Sequence, residues 1–176
     1  AESARLERET ALVIEQSAAQ PSEPVVTPEV LRAQRRKMTG PRDIVFSYKE
    51  TEWPRGLLSN FYISSEAWRF TVPDFAGKDT LAANGRPTTV SVRFAEAAIM
   101  LCKASIMEDF EVFDLIAQAE TPHVAKQLGR RVRGFRGDLW TQVVCHVALA
   151  VVSAKADADA GVAEFIRGTF QCLVAE

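Results

Sequence analysis

The sequence predicts an α+β fold that is mostly helical, with a small β-sheet packed by helices. Between residues 43 and 93, short β-branched and aromatic runs alternate with turn residues, the mark of short strands. From Phe94 onward, apolar residues recur at helical spacing between start and stop signals. The chain has 176 residues, 47% of them hydrophobic and 25% charged, which is enough for one domain with a real core.

Residues 2–19 carry helix formers, with Leu6, Leu12, Val13 and Ile14 among charges. Residues 20–28 form a linker, because three prolines fix φ and remove donors. Thr27 and Pro28 then cap and start a short helix through Lys37 that carries Arg32, Arg35, Arg36 and Lys37, as a solvated face or a nucleic-acid contact. A domain boundary falls near residue 40, leaving 1–40 as a helical N-terminal extension and linker and 41–176 as one domain. Residues 43–48 read as a strand and 53–56 as a loop. Residues 57–63 are apolar around Ser59 and Asn60, and further strands hold Phe70 and Val72, then 88–93. Residues 73–87, rich in Gly, Asp, Asn and Pro, read as a long surface loop or hairpin insertion.

Helices follow over 94–104 and 108–120. Thr121-Pro122 is a hydroxyl cap followed by proline at the first helical position, and Gly129 stands where a left-handed C-cap is wanted. Asp138 caps the next helix, which carries Trp140, Val143, Val144, Val147 and Val151 on or near one face. The last helix spans about 161–168, and 170–176 trail off.

A net charge of −2 carries no polyelectrolyte signal for nucleic acid or membrane. The longest apolar stretch, Val143–Val152, is far shorter than the roughly 20 residues that span a bilayer and reads as a buried helix. Cys102, Cys145 and Cys172 lie apart in apolar segments, as free core thiols. The odd count and absence of Cys-x-x-Cys argue against disulfides or structural zinc and for a reducing, cytoplasmic setting. The chain starts at Ala1 and stops inside an apparent helix, so it is expected to be a fragment at both ends.

Glu96 and Lys103 are seven residues apart, so they differ by only ~20° around a helix and share a face with Met100 between them. Near the helix N-terminus, Glu96 is favoured as an anion. A solvated face explains this pair as well as a site does. Lys126, Arg130, Arg131, Arg133 and Arg136 fall within eleven residues with no acid among them, and Phe135 and Trp140 interleave. Guanidinium forks suit phosphate and flat rings suit a base. A pocket for a phosphorylated nucleoside-like ligand, a basic surface turn and a nucleic-acid groove all fit. Asn60 is either a turn residue or a ligand contact. His123 and His146 lack the spacing of metal ligands, and no phosphate-loop, dinucleotide-binding or nucleophile-elbow motif is present.

The order of Phe46, Leu58-Ser-Asn-Phe-Tyr62, Ala95-Glu96, Met100, Lys103-Ala104, Phe110, Pro122, Lys126, Leu128-Gly-Arg130, Val132, Phe135 and Trp140 resembles the NADAR superfamily, also called YbiA-like, over roughly residues 44–176. The resemblance implies a compact, mostly helical α+β fold and an N-glycosidase that hydrolyses a ribosyl C–N bond, without metal or organic cofactor. The implied partner is a small-molecule ribosylamino-pyrimidine phosphate or ADP-ribosylated guanine, with no membrane. It makes Glu96 the catalytic anion or the base that orients water. It makes Lys103 and Arg130 phosphate contacts, Trp140 a wall of the base pocket or a core residue, and Asn60 a ribose contact or loop-shaping residue.

Family members usually carry Ser or Thr where Ala95 stands and an aromatic or His where Ala97 stands, and compact members have a shorter segment at 73–87. The family pattern continues past Leu173-Val-Ala-Glu176 into an Asp…Trp-Gly motif, so a C-terminally truncated member is expected, lacking further site groups. A non-catalytic ADP-ribose, nucleotide or RNA binding module is the alternative function, and a degenerate scaffold a third.

Overall fold

The computed structural model describes residues 44–46, 55–168 and 173–175. The expected helices at 2–19 and 28–37, the linker between them and the boundary near 40 lie outside these residues, as does Cys172. The fold is α+β and mostly helical as expected, but its strands form two separate pairs. Strand β1 (Ile44–Phe46) pairs in parallel with β4 (Leu173–Ala175), Ile44 opposite Leu173. Within the segment expected to trail off, Leu173–Ala175 thus form a strand, paired with residues more than 120 positions earlier. Strands β2 (Trp68–Thr71) and β3 (Thr89–Val92) form an antiparallel ribbon, Trp68 opposite Val92. Trp68, Phe70, Val90 and Val92 point into the core, while the outer Thr71 and Thr89 hydroxyls meet at 2.9 Å. That alternation is the period-2 pattern of a half-buried sheet.

The segment 73–87 is not a plain loop. Asp74–Ala76 forms a 3-10 turn, and Lys78–Ala83 forms helix α1, with Leu81 fully buried. Gly77 joins them at φ 86, where L side chains are strained, and a Cβ there would lie 2.9 Å from Ser105 Oγ. Ser105 donates to Ala76 O at 2.6 Å, so the insertion is fastened to a helix far ahead in sequence. Arg55–Leu58, expected to be a loop running into an apolar stretch, also forms a 3-10 turn.

The core surrounds α2 (Ala95–Ile106). Ala95, Ala97, Ala98, Leu101, Cys102 and Ala104 are all buried, and the small side chains admit neighbours on several sides. Burial raises the Cys102 thiol to about 12, leaving it protonated and inert. Helix α3 (Phe110–Ala117) is capped by Asp109, whose carboxylate accepts from Val112 N–H at 3.4 Å. Helix α4 (Pro122–Arg130) starts as expected: Thr121 Oγ1 accepts from Val124 N–H at 3.3 Å, and Pro122 occupies the first turn.

Gly129 is not the expected left-handed cap. It lies inside α4 with ordinary φ, and a Cβ there would collide with Met100 Sδ and come 2.7 Å from Met100 Cγ. Close contact between α2 and α4 is what demands glycine.

In helix α5 (Gly137–Ala158), Arg136 occupies the N-cap position without a side-chain capping bond, and Asp138 lies in the first turn rather than at the cap. It is not a buried helix: Val147, Val151 and Lys155 form one buried stripe, while Leu149 is 68% exposed and Cys145 is exposed rather than in the core. Among the described residues it is the one helix long and apolar enough to cross a membrane by length and composition. Helix α6 (Ala160–Gly168) begins on Asp159, which accepts from Gly161 and Val162 N–H at 2.9 and 3.1 Å. Its Val162 and Phe165 pack with Leu57 and Tyr62 in a second small core.

Candidate active site

The turn Ser59-Asn-Phe-Tyr62 is held from both sides. Lys155 is 2% exposed, and its ammonium donates to Leu57 O at 2.7 Å and Ser59 O at 2.9 Å, with the Tyr62 ring 5.1 Å away. A buried charge is tolerable only with such partners. Ser59 Oγ also accepts from Phe61 N–H at 3.1 Å. The turn's product is a carbonyl in a defined place: Asn60 O accepts from Glu96 N–H at 2.9 Å and satisfies an orphan donor of α2's first turn.

Glu96 is 6% exposed. The solvated-face reading of it is therefore overturned. The aromatic next to Asn60 reaches the other helix: Phe61 meets the His123 ring edge-on at 4.9 Å, and Lys126 Nζ lies 4.8 Å from its centroid. Further along both helices, Met100 packs on Gly129, and Lys103 Nζ donates to Gly129 O at 2.7 Å. Helices α2 and α4 therefore run in the same sense, with Glu96, Asn60, Phe61 and Lys126 at one end of their seam. Lys103 and Arg130 stand at the other end.

Lys103 is half-buried, and loss of solvent lowers its pKa from the ordinary lysine value. The Phe135 ring lies 4.4 Å from its Nζ. Arg130, next to Gly129 in the last turn of α4, is exposed. The rest of the basic run is not all available for phosphate. Arg133 is bound to Asp109 through its backbone N–H at 2.8 Å, Nε at 3.1 Å and Nη2 at 2.6 Å, and Nη2 also meets Glu111 at 2.9 Å. Burial alone raises the Asp109 carboxyl, but its hydrogen bonds with Arg133 outweigh that and hold it below the usual carboxylate range. The same bonds raise Arg133.

Trp140 is half-buried against the main core. The structure thus joins Glu96 to Asn60 through their backbones, sets Lys103 against the carbonyl of Gly129, the residue before Arg130, and places Trp140 at the core's margin.

Three participants were missed in the sequence: Phe61, Asp109 and Lys155. Phe61 hides in an apolar run. Asp109 precedes a helix, which marks it only as a cap. Lys155 carried a readable signal, since it stands four residues past Val151 in the stripe Val147–Val151–Lys155. Among the described residues, no group of three or more His, Cys, Asp or Glu side chains is placed to hold a metal ion. A family model described as the NADAR domain matches residues 46–176. No curated protein matches the sequence.

Proposed function

The chain belongs to the NADAR domain family, and from that membership we propose that it is an N-glycosidase. Its substrate is a phosphorylated ribosylamino-pyrimidine or an ADP-ribosyl-guanine, met in the cytoplasm. The observation that carries this reading is Glu96, withdrawn from solvent at the start of α2, with the Lys103 ammonium two turns further along the same helix. Seven residues of helix rise separate them by roughly 10.5 Å. That span suits a ribosyl carbon at one end and its phosphate at the other.

Hydrolysis proceeds through a ribosyl cation. The C–N bonding pair leaves with the nitrogen, positive charge develops over the ring oxygen and the anomeric carbon, and water adds to that carbon. Glu96, fixed before reaction, stabilises this charge more in the transition state than in the ground state. It takes the proton lost by the attacking water, and the leaving nitrogen gains a proton. Lys103 and Arg130 hold the phosphate, which orients the ribose against Glu96. Asn60 fixes the entry of α2 through its carbonyl and has its side chain for the ribose hydroxyls.

Release of free amine or base from a ribosylamino-pyrimidine phosphate and from ADP-ribosylated guanine tests this directly. The Glu96→Gln variant keeps shape and loses the charge, and its turnover is expected to fall about 100-fold or more. Equal turnover in the two proteins rules out the mechanism. Binding of both compounds with turnover of neither makes the chain a binding module instead.

A further inference from the structure

Helix α5 carries an apolar face that the rest of the described residues leave open. Cys145, Leu149 and Val152 are all exposed on it, Leu149 at 68%. With the exposed Gln142 they follow one another by three, four and three residues, the spacing of a helix–helix seam. The buried stripe Val147–Val151–Lys155 lies on the other side of the helix. Phe75, 51% exposed, meets the His146 ring at 6.1 Å and carries the apolar surface off one flank of the seam onto the 3-10 turn. Single exposed apolar residues are ordinary, but a contiguous face drawn from two elements marks a contact surface.

We propose that residues 2–19 of this same chain, which lie outside the described residues, cover the face as a helix antiparallel to α5. Their sequence repeats the seam: Ser3, Leu6, Thr10, Val13 and Ser17 step by three, four, three and four and share one stripe of a helix. With Thr10 over Leu149, antiparallel packing sets Val13 against Cys145, Leu6 against Val152 and Ser17 beside Gln142, polar on polar. It also turns Ile14 to the flank where His146 and Phe75 stand, whereas parallel packing turns Ile14 to the opposite flank and leaves Phe75 uncovered. The attachment point suits this occupant. Residues 20–43 lead to β1, which pairs with β4, the strand that follows α6, and α6 packs on α5. A tether of that length spans at most about 80 Å, while the 22 residues of α5 span about 33 Å. Joined to the domain, the helix docks at an effective concentration that a separate chain lacks.

The rate at which iodoacetamide alkylates Cys145 in the full chain tests the cover, with peptide mass spectrometry separating Cys145 from Cys102 and Cys172. A helix docked about ten to one slows labelling about 10-fold, so Leu6→Asp/Val13→Asp is expected to label about 10-fold faster than the native chain. Both positions lie outside the packed domain, so its own core is untouched. Arg8→Gln, about 200° around the same helix from Leu6, should label at the native rate. Under oxidation Val13→Cys should form a disulfide with Cys145 within one chain, and Arg8→Cys should not. The cover is overturned if Leu6→Asp/Val13→Asp leaves the rate unchanged, the outcome for an open face or one kept for a separate partner. It is equally overturned if Arg8→Gln speeds labelling as much, or if Arg8→Cys joins Cys145 as readily as Val13→Cys does. Protection that falls on dilution assigns the face to a second copy instead.

Discussion

Lys103 and Gly129 show how single residues set the site. The Lys103 ammonium is partly stripped of water, so it deprotonates at lower pH than an ordinary lysine at about 10.4. Its charge is present at neutral pH and is lost as pH rises through the lowered value. Affinity for ribose 5-phosphate should therefore hold near pH 7 and begin to fall on the alkaline side before an unperturbed lysine titrates. Calorimetric binding across that range checks it, and Lys103→Arg should flatten the fall because arginine keeps its charge; an identical fall in both proteins would assign it to another group. Gly129 answers a steric demand rather than a conformational one. Gly129→Ala gains up to about 1 kcal/mol of helix propensity but drives a methyl into Met100. Overpacking of about 1–3 kcal/mol outweighs the gain, so net destabilisation of about 1 kcal/mol is expected in urea unfolding. Met100→Ala made in the same chain should cost less than it does alone, because the new methyl occupies part of the space it vacates. Strict additivity of the two changes would show that the contact is not the cause.

The elements owe their positions to clamps between residues far apart in sequence. Asp109 serves α3 as its N-cap and holds the Arg133 loop as well. Its carboxyl sits below the unfolded value of about 3.9. Such a group contributes stability that is complete above the unfolded value and is lost as pH falls through the folded one. Asp109→Asn is expected to cost about 1–2 kcal/mol at pH 7, as a weakened cap and clamp. The difference from the native chain should shrink below about pH 4 and vanish in stronger acid. Thermal unfolding at a series of pH values measures it, and a difference that persists unchanged in acid would mean that charge plays no part. The basic run 126–136 contains no acid of its own, which is why a phosphate pocket, a basic surface turn and a nucleic-acid groove all fitted it. The acids that neutralise Arg133 come from the α2–α3 junction. In the same way Thr121 and Pro122 revealed the start of α4 because capping is local. Helix α1 stayed hidden because Gly77 and Ser105 meet only in the fold.

Across the whole molecule, the features legible in the sequence were those decided within a turn or two: apolar stripes, hydroxyl caps and the shared face of Glu96 and Lys103. What stayed hidden was decided by pairing over long stretches of chain, as in the β1–β4 ladder, the contact of Met100 with Gly129 and the Lys155 clamp. The clamp carries the most consequence, because it ties α5 to the turn that orders Asn60 and, through its carbonyl, the first turn of α2. Lys155→Met keeps the length and apolar stem of the side chain but removes every donor. Both carbonyls then lose a charged partner, but Ser59 O keeps the Tyr62 N–H at 3.2 Å, so a loss of about 1–3 kcal/mol is expected in urea unfolding. Part of that loss should reach the site. The Leu57–Tyr62 turn is then free to shift, and Glu96 loses a fixed N-terminal frame, so kcat should fall more than KM rises under conditions where the variant remains folded. Lys155→Arg restores the charge but not the compact ammonium, and should recover stability only in part. A Lys155→Met protein that is destabilised yet turns over at the native kcat would separate the clamp from catalysis and leave it a purely structural tie.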